Sequence, residues 1–127
     1  MKSIRFYLPA IAWVLLILWL CTLPGKDIPS VGWWEKFHPD KVVHFGLFGM
    51  TVFLFALGNY WRKKRVSLLN LVLLVLGASA YGLAIEFIQK YWADHRSFDL
   101  FDALADSLGA LAGAIVFNWF FNIRKGK

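Results

Sequence analysis

The sequence predicts an all-α fold, an integral membrane four-helix bundle with both termini in the cytoplasm. Three observations predict it. Hydrophobic residues make up 59% of the 127-residue chain and charged residues 17%, more apolar surface than one soluble core of this size could hide. The apolar residues fall into four runs, each close to the roughly 20 helical residues that cross a hydrocarbon core. Lys and Arg sit in short blocks at the ends of those runs, unevenly divided between the two sides.

The first run, Phe6 to Leu23, follows Lys2 and Arg5 and so has the outline of a secretory signal peptide. Its apolar stretch is long and no small-x-small cleavage site follows it. Lipoprotein processing at Cys21 is disfavoured because Trp19 and Leu20 stand where small residues are needed. The run is therefore expected to stay as a span, closed by Pro24-Gly25 and a polar stretch reaching Pro39. The second run, Val42 to Trp61, ends at Arg62-Lys63-Lys64-Arg65. The third, Leu68 to Gln89, gives way to the polar segment Lys90 to Asp102, and the fourth is Ala103 to Phe121. All four are apolar on every side and do not alternate, which argues for helices over strands. No repeat or low-complexity tract divides the chain, so residues 1–127 are expected to form a single domain.

Orientation follows from the basic residues. Lys2, Arg5, Arg62, Lys63, Lys64, Arg65, Arg124, Lys125 and Lys127 fall on one side; Lys26, Lys36, Lys41, Lys90 and Arg96 fall on the other. The richer side is expected in the cytoplasm. None of the eight acidic residues lies on that side. Trp33, Trp34 and Trp92 then mark the outer interface, and Trp61 and Trp119 the inner one. The net charge of +6 would suggest nucleic acid in a soluble protein. Here it is explained by topology and by contact with anionic lipids, and a four-residue basic turn after Trp61 offers no nucleic-acid surface. One cysteine, Cys21, excludes an internal disulfide and a Cys-rich metal site.

Charged groups near hydrocarbon cost about 2.5–3.5 kcal/mol each on insertion scales, so their placement calls for a reason. In this chain they gather at the outer ends of the second to fourth helices: Asp40, Lys41 and His44; Glu86 and Gln89; Arg96, Asp99, Asp102 and Asp106. At about 100° per residue, Asp99, Asp102, Asp106, Gly109 and Gly113 share a sector of about 80° on the fourth helix. Ser79, Gly82, Glu86 and Gln89 share a similar sector on the third, and Asp40 and His44 are i,i+4 neighbours on the second. Gly109 and Gly113 have the spacing that lets transmembrane helices approach closely. The expected arrangement packs helices two, three and four along these stripes, with Gly82, Gly109 and Gly113 at the contacts and the polar ends meeting in an outward-facing pocket.

A plainer explanation serves part of this set. Asp40, Asp99 and Asp102 suit helix N-termini and could pair with Lys41 and Arg96. Gln89 and Ser79 can serve as ordinary interhelical hydrogen-bonders. Nothing local requires a titratable group at His44, Glu86 or Asp106, and these three carry the functional expectation.

With these residues laid out, the chain resembles the VanZ-like membrane protein family. The resemblance runs from Asp40-Lys41-Val42-Val43-His44-Phe45, through Ile85-Glu86-Phe87-Ile88-Gln89, to Arg96-Ser97-Phe98-Asp99, and closes with Asp102, Gly109 and Gly113. It covers helices two to four and the loop before the fourth. Asp106 departs from the pattern, where Asn is usual; a further acid there would repel its neighbouring carboxylates or attract a cation. The resemblance implies a bacterial inner-membrane protein of the cell envelope, in a family whose name-giving member is linked to resistance to the glycopeptide teicoplanin. It implies no reaction.

The leading functional expectation is a non-enzymatic protein that binds a lipid-linked or cell-surface ligand at the outer leaflet, with membrane lipids and a lipid-linked envelope precursor as partners. Lys41, Arg96 and His44 would hold a phosphate or carboxylate, and Glu86, Asp102 and Asp106 would orient them or take amines and hydroxyls. The alternative is an intramembrane enzyme acting on a polyprenyl phosphate or other lipid. In it His44 with Glu86 or Asp106 would form an acid–base pair, or His and carboxylates would hold a divalent metal. No His-Glu-x-x-His, Gly-x-Ser-x-Gly or clustered Cys is present, so no catalytic residue, metal or cofactor is assigned. A third class, a channel or transporter subunit, would require an oligomer, because four spans leave no room for a pore in one chain.

Overall fold

The computed structural model describes residues 2–21, 39–92 and 100–123, and these are helical apart from one tight turn. A 3₁₀ turn, Lys2–Tyr7, leads into α1, Leu8–Cys21. Helix α2 spans Pro39–Lys63, α3 Leu68–Trp92 and α4 Leu100–Phe117, which continues as a π-helical turn over Asn118–Ile123. Among the described residues there is no strand.

Local chemistry sets the ends. Pro39 opens α2, where its missing N–H is harmless and its fixed φ suits a helix. Helix α2 stops at Lys64, whose φ of 64° places it in the left-handed region and lets its N–H donate to the Tyr60 carbonyl at 2.7 Å. Ser67 then caps α3: its Oγ accepts the Asn70 N–H at 3.1 Å and its carbonyl accepts the Leu71 N–H at 3.1 Å. The expected basic turn is thus a tight α2–α3 hairpin.

Among the described residues, three helices are long and apolar enough to cross a membrane: Val42–Lys63, Leu68–Ile88 and Leu100–Phe121. The sequence predicted four. The first apolar helix, Ile4–Leu20, is shorter than the other three, and the end expected for it at Leu23 lies outside the described residues. The long helices begin or end beyond the predicted apolar limits, at Pro39, Trp92 and Leu100. Backbone hydrogen bonding continues past the edge of the hydrocarbon-like run. Only 22% of the α3 span is buried inside the protein, and Leu68, Leu69, Leu73 and Leu76 point outward. Such a surface needs lipid as its solvent.

Helices α2 and α4 run parallel and make the most extensive contact, with α3 antiparallel beside both. Glycines bring them together. A Cβ on Gly109 would strike the Phe45 carbonyl, and one on Gly113 would strike the Gly49 carbonyl. Phe48, Val52, Ala56, Ala110, Ala114 and Phe117 fill the seam around that contact. Helix α1 is held to the outside by two hydrogen bonds: Trp13 Nε1 donates to the Leu47 carbonyl at 2.9 Å, and Tyr81 Oη donates to the Val14 carbonyl at 2.9 Å. This topology brings the N-terminal ends of α2 and α4 together with the C-terminal end of α3.

Candidate functional site

At that end, each of the three long helices contributes one titratable side chain to a common point. His44 comes from α2, Glu86 from α3 and Asp106 from α4; one donor atom from each lies within 4.8 Å of those of the other two. His44 Nδ1 and Asp106 Oδ1 are hydrogen-bonded at 2.7 Å. The other imidazole nitrogen, Nε2, is 3.9 Å from Asp102 Oδ2, also on α4. Counting 1.5 Å per residue, His44, Glu86 and Asp106 sit about 7–9 Å inside their helix ends.

These groups are buried. His44 is 5% exposed, Asp102 8%, and Glu86 and Asp106 are both 0% exposed. Phe48, one turn below His44, lies under the imidazole with ring centroids 6.4 Å apart, and Tyr81 packs on Phe48 at 5.8 Å. That aromatic floor separates the polar groups from the apolar body of the bundle. Asp106 Oδ1 faces His44, whereas its Oδ2 accepts no hydrogen bond among the described residues and lies against Gly82 on α3. A Cβ on Gly82 would lie 2.5 Å from that oxygen, so the glycine makes room for the carboxylate. Asp102, in the first turn of α4, gains from the positive end of the helix dipole.

Chemically, the cluster combines one imidazole with three carboxylates in a setting that penalises net charge. Isolated buried ions cost several kcal/mol each, and the penalty is offset only by partners, protons or a bound cation. Such groups inside apolar spans point to function more than to stability, because an apolar core of similar volume is often at least as stable.

The family-level pattern that matches this chain, VanZ/LLP1, extends over residues 6–121. The chain belongs to the VanZ/LLP1 family. It is also 35% identical over 130 residues to the uncharacterized protein C11E3.10 of Schizosaccharomyces pombe, an alignment covering 97% of this chain and 69% of the yeast protein. No solved structure matches it significantly.

Within this VanZ/LLP1 chain, the structure brings together His44, Glu86, Asp102 and Asp106 from the set expected in the sequence. Asp40 and Lys41 lie in the first turn of α2, so Asp40 is inside the helix instead of capping it from outside, and Gln89 lies near the end of α3. The side chains of these three are outside the described residues, as are Arg96 and Asp99 altogether. His44, Glu86 and Asp106 are buried close to one another at the described end of the bundle. The anticipated cations, the Lys41 side chain and Arg96, lie outside the described residues, and the described cluster is acidic apart from His44.

The glycines also require one refinement. Gly82 serves α3–α4 packing around Asp106, but Gly109 and Gly113 meet α2. Their partners, the backbones of Phe45 and Gly49, were not singled out in the sequence. The signal that could have found them is the i, i+4, i+7, i+11 series Phe45, Gly49, Val52 and Ala56, which shares one face of α2. Asn59 and Asn70 were missed as well. They link α2 to α3 at the opposite end, where Asn59 Nδ2 donates to Asn70 Oδ1 at 2.7 Å and Tyr7 Oη donates to Asn59 Oδ1.

Proposed function

We propose that this membrane protein binds the polar headgroup of a lipid or lipid-linked ligand at the end of the bundle where α2, α3 and α4 converge. The observation that carries this proposal is the burial of His44, Glu86 and Asp106 at one point inside otherwise apolar spans. Asp102, with its side chain 12% exposed, is the most accessible member and marks the entrance. The described cluster suits a headgroup that offers hydroxyls or amines to carboxylates, while Lys41 and Arg96 are the groups in the same sequence neighbourhood able to take a phosphate. An apolar groove of about 310 Å³ between α1, α2 and α3, lined by Val14, Phe55, Leu74 and Tyr81 among others, offers hydrocarbon a place on the same molecule.

In this proposal both termini are cytoplasmic and the polar end opens to the outer leaflet, as the distribution of Lys and Arg favours. A place in the bacterial inner membrane and cell envelope, with a lipid-linked envelope precursor as ligand, is the form suggested by resemblance to VanZ-like proteins. The yeast relative argues against restricting the chemistry to bacteria. A link to teicoplanin resistance would follow only if the bound ligand belonged to the glycopeptide target. Mass spectrometry of lipids co-purifying in mild detergent tests the proposal. A defined lipid at near-stoichiometric yield in the wild type, depleted in Glu86→Gln and Asp102→Asn, is expected. The same bulk phospholipid profile in all three would refute it.

One observation keeps an enzymatic variant in view. The 2.7 Å His44–Asp106 contact is the geometry of a carboxylate orienting an imidazole, and Nε2 on the other side faces the entrance at Asp102. Turnover of a lipid phosphate by purified protein, abolished in His44→Ala, would favour it over simple binding.

A further inference from the structure

We propose that His44, Glu86 and Asp106 form a binding site for a divalent first-row transition metal, with Asp102 orienting the imidazole. Three observations converge on it. The donors come from three different helices, one each, and lie within 4.8 Å of one another. One carboxylate oxygen of the fully buried Asp106, Oδ2, has no hydrogen bond among the described residues, although it is held inside the bundle beside Gly82. And the donor set contains a nitrogen ligand, so it is more than a group of acids.

The charge count favours a divalent ion. A neutral imidazole with the Glu86 and Asp106 carboxylates carries −2, and Asp102 beside them adds a further −1, so a divalent cation offsets most of the charge and a monovalent one only a third. Without metal, the same three residues reach neutrality only by holding two protons. The ligand chemistry narrows the ion. Imidazole suits Zn²⁺ and its neighbours, and carboxylates accept both these and Mn²⁺, whereas Mg²⁺ and Ca²⁺ prefer all-oxygen sites. Zinc–ligand bonds of about 2.0–2.2 Å place neighbouring donors about 3–3.5 Å apart, so the ion would replace the 2.7 Å His44–Asp106 hydrogen bond, that pair opening slightly while donors up to 4.8 Å apart draw in. If Nδ1 takes the metal, Nε2 points toward Asp102 at 3.9 Å, and a carboxylate accepting that N–H fixes the tautomer in the way common to metal-bound histidines.

Three protein ligands leave at least one coordination position of a zinc-like ion unfilled. A phosphate or carboxylate oxygen of the headgroup proposed above fits that position, and this use of the metal rests on that proposal. The metal site itself does not.

The test uses the full chain, purified in mild detergent, delipidated, stripped with a chelator and titrated with ZnCl₂. One tightly held Zn²⁺ per chain is expected, with an X-ray absorption spectrum showing an imidazole shell together with oxygen ligands. Glu86→Gln and His44→Ala should each weaken zinc binding about 100-fold or more, and Asp102→Asn about 10–100-fold. Ser79→Ala, whose hydroxyl only donates to the Val75 carbonyl, should leave it unchanged. Because variants of buried residues can misfold, the wild-type spectrum decides independently. No stoichiometric zinc, or a zinc spectrum without imidazole scattering, overturns the site. A zinc spectrum and affinity unchanged when the co-purified lipid is added back would uphold the metal site while removing its link to a headgroup.

Discussion

The α2–α4 seam is held at its two ends by opposite means. Near the starts of both helices, His44 and Asp106 bury a polar contact of 2.7 Å, with Asp102 and Glu86 around it. Toward the other end, Phe53, Tyr60, Phe117 and Phe121 form a ring cluster, with Phe117 stacked on Phe121 at 4.6 Å and Phe53 meeting Phe117 edge-on at 5.5 Å. Between them the backbones touch at Gly49, Gly109 and Gly113. Inside lipid, helix association relies on packing and interhelical hydrogen bonds, because lipid tails are as apolar as the side chains. The aromatic end meets that requirement with shape alone. The polar end adds desolvation penalties that shape does not need, so stability does not account for it, and the ligand binding proposed above would.

The contrast can be broken from several directions. The largest effect is expected at the glycine contact between the ends. Gly109→Leu should yield no folded protein, and Gly109→Ala should cost about 3 kcal/mol by overpacking against the Phe45 backbone. Gly46→Ala, with nothing within 4 Å of its Cβ, should be neutral or stabilising by up to about 1 kcal/mol. Unfolding midpoints in mixed micelles check both, and equal effects would mean that the seam is drawn in the wrong place. At the aromatic end, Phe117→Ala should cost about 3–5 kcal/mol by opening a cavity.

At the polar end, Asp106→Ala should cost about 3 kcal/mol, because it strands a buried partner. His44→Ala combined with it should then cost less than the sum, with a coupling of about 1–3 kcal/mol. An additive double-mutant cycle would show that the pair does not interact in the membrane. Zinc binding sharpens the same end by pH. Because metal ligands must be deprotonated to bind, zinc affinity should rise from pH 6 to pH 8 in competition assays, and a flat profile would argue for ligands elsewhere. The smallest effect is expected at Asn59→Ala, about 1 kcal/mol, for loss of its hydrogen bonds to Tyr7 and Asn70.

Much of this was legible in the sequence, for definite physical reasons. Apolar runs of span length announce helices, because in hydrocarbon the backbone must satisfy itself. Helix arithmetic put His44, Glu86 and Asp106 at one depth, and the structure puts them at one point. The departure of Asp106 from the VanZ-like pattern also gained meaning, since that side chain is the hydrogen-bond partner of His44. What could not be read was the partner of each face. Gly109 and Gly113 announce close packing without saying against which helix, and the answer is the carbonyls of Phe45 and Gly49, which leave no mark on residue type. The same limit hid how tightly the cluster is packed: sequence gives the direction of a side chain and not the space left between three of them.

The central claim is that the polar end binds a ligand and the aromatic end is scaffold. Its most direct test compares Glu86→Gln with Phe117→Ala for ligand retained per folded molecule, by native mass spectrometry from mild detergent. Glu86→Gln should lose the bound species while keeping its helical content, and Phe117→Ala should keep it in every molecule that remains folded. Equal retention in the two variants would contradict the division of the bundle into a site and a scaffold.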